Sequence, residues 1–191
     1  MKVTKFVLLI LALWLVSIAP TTTLAKSHST VSTTAGAQLA LWEICNEISA
    51  AGYCGVQFGM TQEEANDAAP SGLHGQENIG PDESGCYYLG IAENSFDVAI
   101  MFVQGHVHRI DVSVSNIQTP EGAQVGMKLK EVKALYPDST LKPNFYVGSR
   151  YDLFVDLGDE LLAVFETDDS DVVTSFRIGT DGPARYVEGC A

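Results

Sequence analysis

Two histidines, His106 and His108, are separated by one residue in a segment that alternates apolar and polar residues. Alternate residues of a strand project from the same face, and imidazole nitrogens are common zinc ligands, so the pair could hold a metal. A third ligand would come from His74 or a carboxylate, and no spacing selects one. We therefore interpret both histidines as solvent-facing and predict no metal and no cofactor. A metal-dependent factor or enzyme that uses the His106/His108 hairpin is the alternative.

Acidic residues are concentrated in two segments that we predict to be hairpin turns: Asp156, Asp159 and Glu160, and the run 168–171. A calcium-binding loop of the EF-hand type needs ordered ligand spacing and a terminal glutamate, which the run lacks. Aspartate also favours turns because its side chain bonds nearby main-chain groups. We therefore predict turns here and no calcium site.

Motifs that position a catalytic nucleophile, a phosphate group or a protease zinc are absent from the sequence. We therefore expect a protein that is not an enzyme and has no catalytic residues. Tyr87, Tyr88, Tyr146 and Tyr151 could form an aromatic binding surface, since aromatic side chains are enriched at protein interfaces. Half-buried strand positions account for the same four residues equally well.

The chain has four cysteines, Cys45, Cys54, Cys86 and Cys190, an even number that is typical of disulfide-bonded exported domains. No CxxC pair occurs, which argues against a zinc site. Four cysteines allow three connectivities. We favour Cys45–Cys54, which closes a short loop, with Cys86–Cys190, which ties the C-terminus to the body of the chain. The other two connectivities stay open.

Residues 1–25 have the three parts of a secretory signal peptide. Lys2 and Lys5 precede an apolar run over 6–16, and small residues follow. A membrane anchor would need about 20 apolar residues, and Pro20 interrupts the run too early. We predict a cleaved signal peptide and no stable membrane span.

Removal of residues 1–25 would leave 9 of the 11 basic residues against all 24 acidic ones, a net charge of about −15. A chain of this charge repels nucleic-acid phosphates and anionic lipid, so we predict neither as a partner. The acidity is typical of a protein that must stay soluble after export. A cationic partner protein is a second interpretation.

Two stretches of 11 residues, 55–65 and 122–132, align without a gap at an offset of 67, and five of the 11 positions are identical. Such self-similarity indicates one supersecondary unit used twice. Each copy is typical of an extended segment, a glycine turn and a helix. Thr61 and Glu64 are spaced as a capping box in the first copy, where the second copy has Lys128 instead of threonine.

Apolar periodicity predicts the elements around these copies. Residues at every third position predict a helix before the first copy, at Leu39, Trp42, Cys45 and Ile48. After each copy, apolar segments separated by tight turns predict antiparallel strands, over 96–103, 107–114, 151–157, 161–165 and 172–178. The segment 96–103 is apolar on both faces, whereas 107–114, 151–157 and 172–178 alternate.

We therefore predict an α+β fold of two tandem units, each a helical segment packed on an antiparallel β-sheet. The first unit would span 37–118 and the second 119–191. Residues 26–36 are rich in serine and threonine and are predicted to be a flexible lead-in. We expect a monomer.

The motif Phe-Gly-Met-Thr at 58–61, which returns as Val-Gly-Met-Lys at 125–128, resembles the β-lactamase inhibitory protein family. Similar single copies occur in small outer-membrane assembly lipoproteins of the SmpA/OmlA type. The resemblance covers roughly 52–190 and implies helical segments on antiparallel sheet, two in tandem in the inhibitor. No enzyme-contacting residue of the inhibitor has a match here, and no lipid-attachment cysteine follows the apolar run.

The layout also resembles secreted proteins that pair a Cys-Tyr-Tyr segment, here 86–88, with a terminal Glu-Gly-Cys, here 188–190. This resemblance favours the Cys86–Cys190 bond. The inhibitor closes a disulfide inside each unit, whereas the second unit here has only Cys190.

These features together predict a secreted or periplasmic, non-enzymatic protein-binding module, either inhibitor-like or an envelope-assembly helper. Its partner would be another envelope or extracellular protein, whose identity no residue pattern names.

Overall fold

A computed structural model describes residues 45–75 and 85–190. The predicted signal peptide, the predicted lead-in and the part of the predicted first helix at Leu39 and Trp42 lie outside the described residues. Within the described part of the chain, no helix is long and apolar enough to cross a membrane.

Antiparallel strands make up most of the regular secondary structure of the described residues. A short hairpin comes first, formed by β1 (Ile48–Ser49) and β2 (Gly52–Tyr53). One seven-stranded sheet follows, formed by β3 (Cys86–Ala92), β4 (Ser95–Val103), β5 (His106–Val112), β6 (Thr140–Pro143), β7 (Tyr151–Gly158), β8 (Leu161–Thr167) and β9 (Val173–Thr180). The helices of the described residues are short: α1 (Gln62–Ala68), α2 (Leu129–Leu135) and α3 (Asp181–Ala184). Across the sheet the strands lie in the order β3-β4-β5-β9-β8-β7-β6.

The predicted α+β fold of two helix-plus-sheet units is wrong, because the regular structure of the described residues is mostly β and seven of its strands form one continuous sheet. β5 and β9, the last strands of the two predicted units, pair with each other, with Ile110 opposite Ile178. Two separate sheets would leave a row of unpaired N–H and C=O groups on each of these strands, and pairing satisfies both rows. The helices, of 7, 7 and 4 residues, are too short to cover a sheet as a layer.

The helix predicted around Cys45 and Ile48 is wrong in its described part. Ile48 lies in β1, and its N–H donates to the carbonyl of Gln118 at 2.9 Å. The hairpin is closed by the disulfide between Cys45 and Cys54 and by the hydroxyl of Tyr53, which donates to the carbonyl of Cys45 at 2.8 Å. These non-local contacts override the periodicity that suggested a helix.

The two copies of the repeated motif have equivalent main-chain contacts. The N–H of Gly59 donates to the carbonyl of Val107 at 2.8 Å, and the N–H of Gly126 donates to the carbonyl of Val173 at 2.8 Å. In return, the N–H of Val107 donates to the carbonyl of Met60 at 2.8 Å, and the N–H of Val173 donates to the carbonyl of Met127 at 2.9 Å. The two glycines have φ of +84° and +93°, a region that favours glycine. A shared origin of the copies stays a prediction.

Each copy leads into a helix. In the first, the predicted capping box is present: the N–H of Thr61 donates to Glu64 at 2.9 Å, and the N–H of Glu64 donates to the hydroxyl of Thr61 at 3.3 Å. In the second, the N–H of Lys128 donates to Glu131 at 2.8 Å, and the ammonium of Lys128 donates to the carbonyl of Ser170. A lysine therefore replaces the capping threonine and bonds the β8–β9 turn instead.

The apolar core lies on the face of the sheet that carries α1 and α2. Ala65 of α1 and Val132 of α2 are fully buried in the same cluster as Ile110. The alternation predicted for this part of β5 is confirmed, because Arg109 and Asp111 lie on either side of Ile110 and belong to the opposite face. That opposite face carries the charged residues described below.

Gly179 in β9 lies opposite Arg109 in β5. A Cβ at Gly179 would lie 2.6 Å from the carbonyl oxygen of His108, so the Gly179→Ala change should lower the free energy of unfolding by about 1–3 kcal/mol. Gly182→Ala is the matched control, since a Cβ there meets nothing within 4 Å, and it should shift stability by less than about 1 kcal/mol. Denaturant unfolding of both variants checks the prediction, which equal losses would contradict.

Candidate functional site

Four charged residues lie on the face of the sheet opposite the core. Arg109 pairs with Asp111 within β5, with Nη2 2.6 Å from Oδ1, and Arg177 in β9 pairs with Glu166 in β8. Both arginines are 4% exposed. Because Asp111 and Arg177 are directly opposite each other in the β5–β9 pair, the four side chains form one charged cluster at the centre of the sheet.

The C-terminal segment, residues 181–190, lies across the charged cluster. Arg109 donates to the main-chain carbonyls of Pro183 at 3.1 Å and Tyr186 at 2.7 Å. Arg177 donates to the main-chain carbonyl of Ala184 at 2.6 Å. Since the bonds go to the main chain, the cluster sets the path of the segment whatever its side chains are.

The end of the C-terminal segment is attached to β3. Cys190 is disulfide-bonded to Cys86, and Gly189 lies against Tyr88, where a Cβ would be 2.8 Å from the phenol oxygen. Burial, together with the negative charge of Asp111, raises the pKa of Tyr88 above its usual value. The phenol is therefore neutral, and the C-terminal segment covers it.

The loop between β6 and β7, residues 144–150, is organised by Asn144. Its side-chain oxygen accepts hydrogen bonds from the N–H groups of Tyr146 at 3.0 Å and Val147 at 3.1 Å, and its Nδ2 donates to Asp152 at 3.1 Å. Asp152 is 6% exposed, and burial raises the pKa of its carboxyl although the bond from Asn144 opposes the shift. The loop therefore rests on a partly buried hydrogen bond and an Asx-type turn.

Two further contacts join the loop to its neighbours. Arg150 forms a two-bond ion pair with Asp169 of the β8–β9 turn, at 2.8 and 3.0 Å. The hydroxyl of Tyr146 donates to Glu188 of the C-terminal segment, and this hydrogen bond raises the pKa of Tyr146. The loop and the C-terminal segment therefore form one surface.

Four apolar side chains of this surface face solvent: Phe145 (77% exposed), Tyr146 (57%), Tyr186 (46%) and Val187 (38%). We call these four residues the aromatic patch. The rings of Phe145 and Tyr146 meet edge to face, with centroids 5.1 Å apart. Clustered exposed apolar side chains in a folded chain indicate an interaction site. The aromatic patch is the candidate functional site.

The four tyrosines considered from the sequence have different environments. Tyr146 and Tyr151 are exposed, whereas Tyr87 and Tyr88 are half-buried. The ring of Tyr87 stacks on that of Phe102, with centroids 5.2 Å apart. Only Tyr146 belongs to the aromatic patch as we define it.

The sequence does not predict the other three members of the aromatic patch. A sequence signal does exist for Phe145. It lies beside Tyr146 between Pro143 and Gly148, in a segment where the sequence predicts a turn and two adjacent aromatic residues are unexpected. For Tyr186 and Val187 no comparable pattern exists, because only the path of the C-terminal segment exposes them.

His106 and His108 lie at the start of β5. His106 is exposed, with Nδ1 3.1 Å from the carbonyl oxygen of Gln104, and His108 is half-buried, with Nδ1 3.0 Å from the hydroxyl of Thr180. Burial and the neighbouring His106 lower the pKa of His108. Among the described residues, no group of three or more His, Cys, Asp or Glu side chains is arranged to hold a metal ion. That no metal binds stays a prediction.

The two acidic segments lie in turns. In the β8–β9 turn, Asp168 accepts hydrogen bonds from the N–H groups of Ser170 and Val172 at 2.8 and 3.0 Å, which lowers its pKa. This is the turn-forming role predicted from the sequence. The β7–β8 turn borders an open cavity of about 660 Å³ whose charged lining residues are Asp156, Asp159, Glu160, Asp181 and Arg185.

Both favoured disulfides are present, Cys45–Cys54 and Cys86–Cys190, and the described chain has no free cysteine. Disulfides persist in oxidising compartments and are rare in the cytosol. The covalent structure therefore fits an exported protein.

No protein-family model and no curated protein matches the chain. One similar solved structure is an extracellular protein containing a SCP domain from Bacillus anthracis str. Ames, with 14% identity and a TM-score of 0.41 over 65% of this chain and 44% of that one. Another is the uncharacterized protein yfeY from Escherichia coli, with 12% identity and a TM-score of 0.46 over 70% of this chain and 99% of that one.

The chain thus spans less than half of the SCP-domain protein, and both TM-scores are too low to support an argument about fold or function. Neither similarity bears on the resemblance to the β-lactamase inhibitory protein family or to the SmpA/OmlA lipoproteins. That resemblance stays a prediction from the motif.

Proposed function

We propose that this protein is an exported module, secreted or periplasmic, that binds another envelope or extracellular protein and has no enzymatic activity. The aromatic patch supports the proposal, because its four apolar side chains are 38–77% exposed on a loop and a segment that are both anchored. Apolar and aromatic side chains at the centre of an interface provide most of its binding energy.

The anchoring of the aromatic patch matters as much as its composition. Ordering a mobile side chain at an interface costs about 0.5–1.5 kcal/mol, which reduces affinity. Here Asn144 holds the loop, Glu188 holds Tyr146, and the Cys86–Cys190 bond holds the C-terminal segment. The contact surface is therefore formed before the partner arrives, which favours recognition of a folded protein.

We infer further that the chain acts as a monomer. β6 is an outer strand of the sheet, and its four residues are all exposed. Pro143 has no N–H to donate, and Lys142 places a charge on the edge. Both features discourage two copies from pairing strand to strand.

Affinity capture tests the proposal with three tagged chains: the unchanged protein, Phe145→Ser/Tyr186→Ser, and Phe96→Ser. Phe96 is 38% exposed in β4, outside the aromatic patch, and is the matched control. We expect the unchanged protein and Phe96→Ser to recover the same envelope or extracellular protein. The double variant should bind it at least about tenfold more weakly, since each lost anchor removes central contact area.

The melting temperature of the double variant should match that of the unchanged protein, because both side chains are exposed. Undiminished capture by the double variant would reject the aromatic patch as the site. Recovery of no partner by any of the three chains would reject protein binding as the function.

A further inference from the structure

We infer that the partner of the aromatic patch is a basic protein surface that presents lysine or arginine beside apolar side chains. This inference rests on the proposed function and adds the chemistry of the partner. It depends on which charges border the aromatic patch and on which of them are already paired.

Exposed acidic side chains lie next to the aromatic patch in the C-terminal segment and in the turn that is bonded to its loop. Glu188 follows Val187 in the C-terminal segment and is exposed. The β8–β9 turn, which Arg150 bonds to the loop, exposes Asp169 and Asp171. A partner that covers the patch therefore comes close to these carboxylates.

The basic side chains nearby are already engaged. Arg150 is bonded to Asp169, and Arg185 is bonded to Asp181 with Nη2 2.6 Å from Oδ1. The ammonium of Lys142 lies over the ring of Phe154, 4.6 Å from its centroid.

Of the border carboxylates, Asp169 is already paired with Arg150, whereas Glu188 accepts only from the neutral hydroxyl of Tyr146. Among the described residues no ion pair includes Glu188 or Asp171, so a basic partner would meet two carboxylates whose charge no cation offsets.

The charge of the whole chain acts in the same direction. The net charge is −13, and about −15 without residues 1–25. Such a field attracts a basic partner and accelerates association, while the apolar contact sets how long the complex lasts. A second copy of this chain is disfavoured as the occupant, because two acidic borders would face each other.

Two synthetic peptides of equal length probe this inference directly, one alternating lysine and tryptophan and the other alternating glutamate and tryptophan. We expect the Lys–Trp peptide to bind at least about tenfold more tightly at low salt, with the preference shrinking as salt screens the charges. Equal affinity for the two peptides would overturn the inference, and so would no binding of either one.

Charge variants localise the effect. Asp171→Asn/Glu188→Gln removes two border charges; asparagine tolerates the φ of +56° at position 171, and glutamine keeps an acceptor for Tyr146. Glu63→Gln/Asp67→Asn makes the same charge change on α1, on the core side of the sheet. The border variant should weaken Lys–Trp binding about threefold or more, and the α1 variant should not. Equal weakening would mean that binding follows net charge alone, which overturns a basic partner specific to the aromatic patch.

The Phe145→Ser/Tyr186→Ser variant separates failure of the inference from failure of the proposed function. If it loses both peptides while they bind the unchanged protein equally, the patch is a binding site and only the partner chemistry is wrong. If neither peptide binds the unchanged protein, the inference is overturned and the capture experiment alone decides the function.

Discussion

Replacing Arg109 by methionine should lower the free energy of unfolding by at most about 3–5 kcal/mol, because the buried guanidinium is lost while Asp111, whose side chain is 27% exposed, stays. Asp111, now bonded at 2.6 Å, would keep a carboxylate beneath the C-terminal segment without its partner. Two carbonyls of the segment would lose their donor as well. Chemical denaturation with the disulfides intact measures the loss.

Arg150→Met is the matched control. Its ion pair with Asp169 has similar geometry, but the two side chains are 36% and 67% exposed, so water replaces the lost contact and stability should change little. Arg109→Met/Asp111→Leu should regain part of the stability lost in Arg109→Met, since no unpaired charge remains. If Arg150→Met were as destabilising as Arg109→Met, burial would not be the reason for the effect.

Removing the Cys86–Cys190 disulfide with Cys86→Ala/Cys190→Ala should destabilise the protein more than removing Cys45–Cys54. The bonds join residues 104 and 9 positions apart, and a longer closed loop restricts the unfolded chain more. The chain-entropy relation gives about 4.7 kcal/mol for the long loop and about 2.7 kcal/mol for the short one. Unfolding of the two double variants tests this order.

Loss of the long-range disulfide should also release the last residues of the C-terminal segment. Arg109 and Arg177 would still hold the main chain as far as Tyr186, so we expect faster hydrogen exchange over 187–190 than over α3. The Cys45→Ala/Cys54→Ala variant should leave exchange in both regions unchanged. A larger stability loss in the Cys45→Ala/Cys54→Ala variant would contradict the predicted order of the two bonds. Unchanged exchange at 187–190 in the Cys86→Ala/Cys190→Ala variant would show that the long-range bond does not anchor the segment.

The aromatic patch and the charged cluster are two sides of one arrangement. The cluster bonds the main chain of the C-terminal segment from below, and the outer side of that segment carries Tyr186 and Val187. A substitution in the charged cluster should therefore alter the aromatic patch although the cluster forms no hydrogen bond with the side chains of the patch. This dependence explains why the predicted stability effects and the proposed binding surface meet at the same ten residues, 181–190.

Much of the local structure follows from the sequence alone. The predicted strands correspond to β4, β5, β7, β8 and β9. A half-buried strand such as β5 alternates apolar and polar residues whichever strand lies beside it. β4 and β8 are instead short, nearly continuous apolar runs between turns, a pattern typical of strands buried on both faces. The capping box of Thr61 and Glu64 is equally local, since it needs only two side chains three residues apart. β3 and β6 are not predicted, and the residues of β6 are all exposed, so no apolar face reveals that strand.

Disulfide formation is likewise predicted from cysteine number and compartment, and the favoured pairing is the one observed. Connectivity depends on which cysteines meet in three dimensions, so spacing alone left two other pairings open.

Tertiary structure decided the rest. Alternation in β5 and β9 says which side chains are buried, not that these two strands pair and merge two expected sheets into one. The same holds for Ile48, whose bond to Gln118 made a strand where periodicity predicted a helix. The charged cluster and the aromatic patch also need residues far apart in the chain, such as Arg109 with Tyr186 and Tyr146 with Glu188. Sequence periodicity reports burial within one element, whereas strand pairing and segment docking are set by non-local contacts that no single stretch encodes.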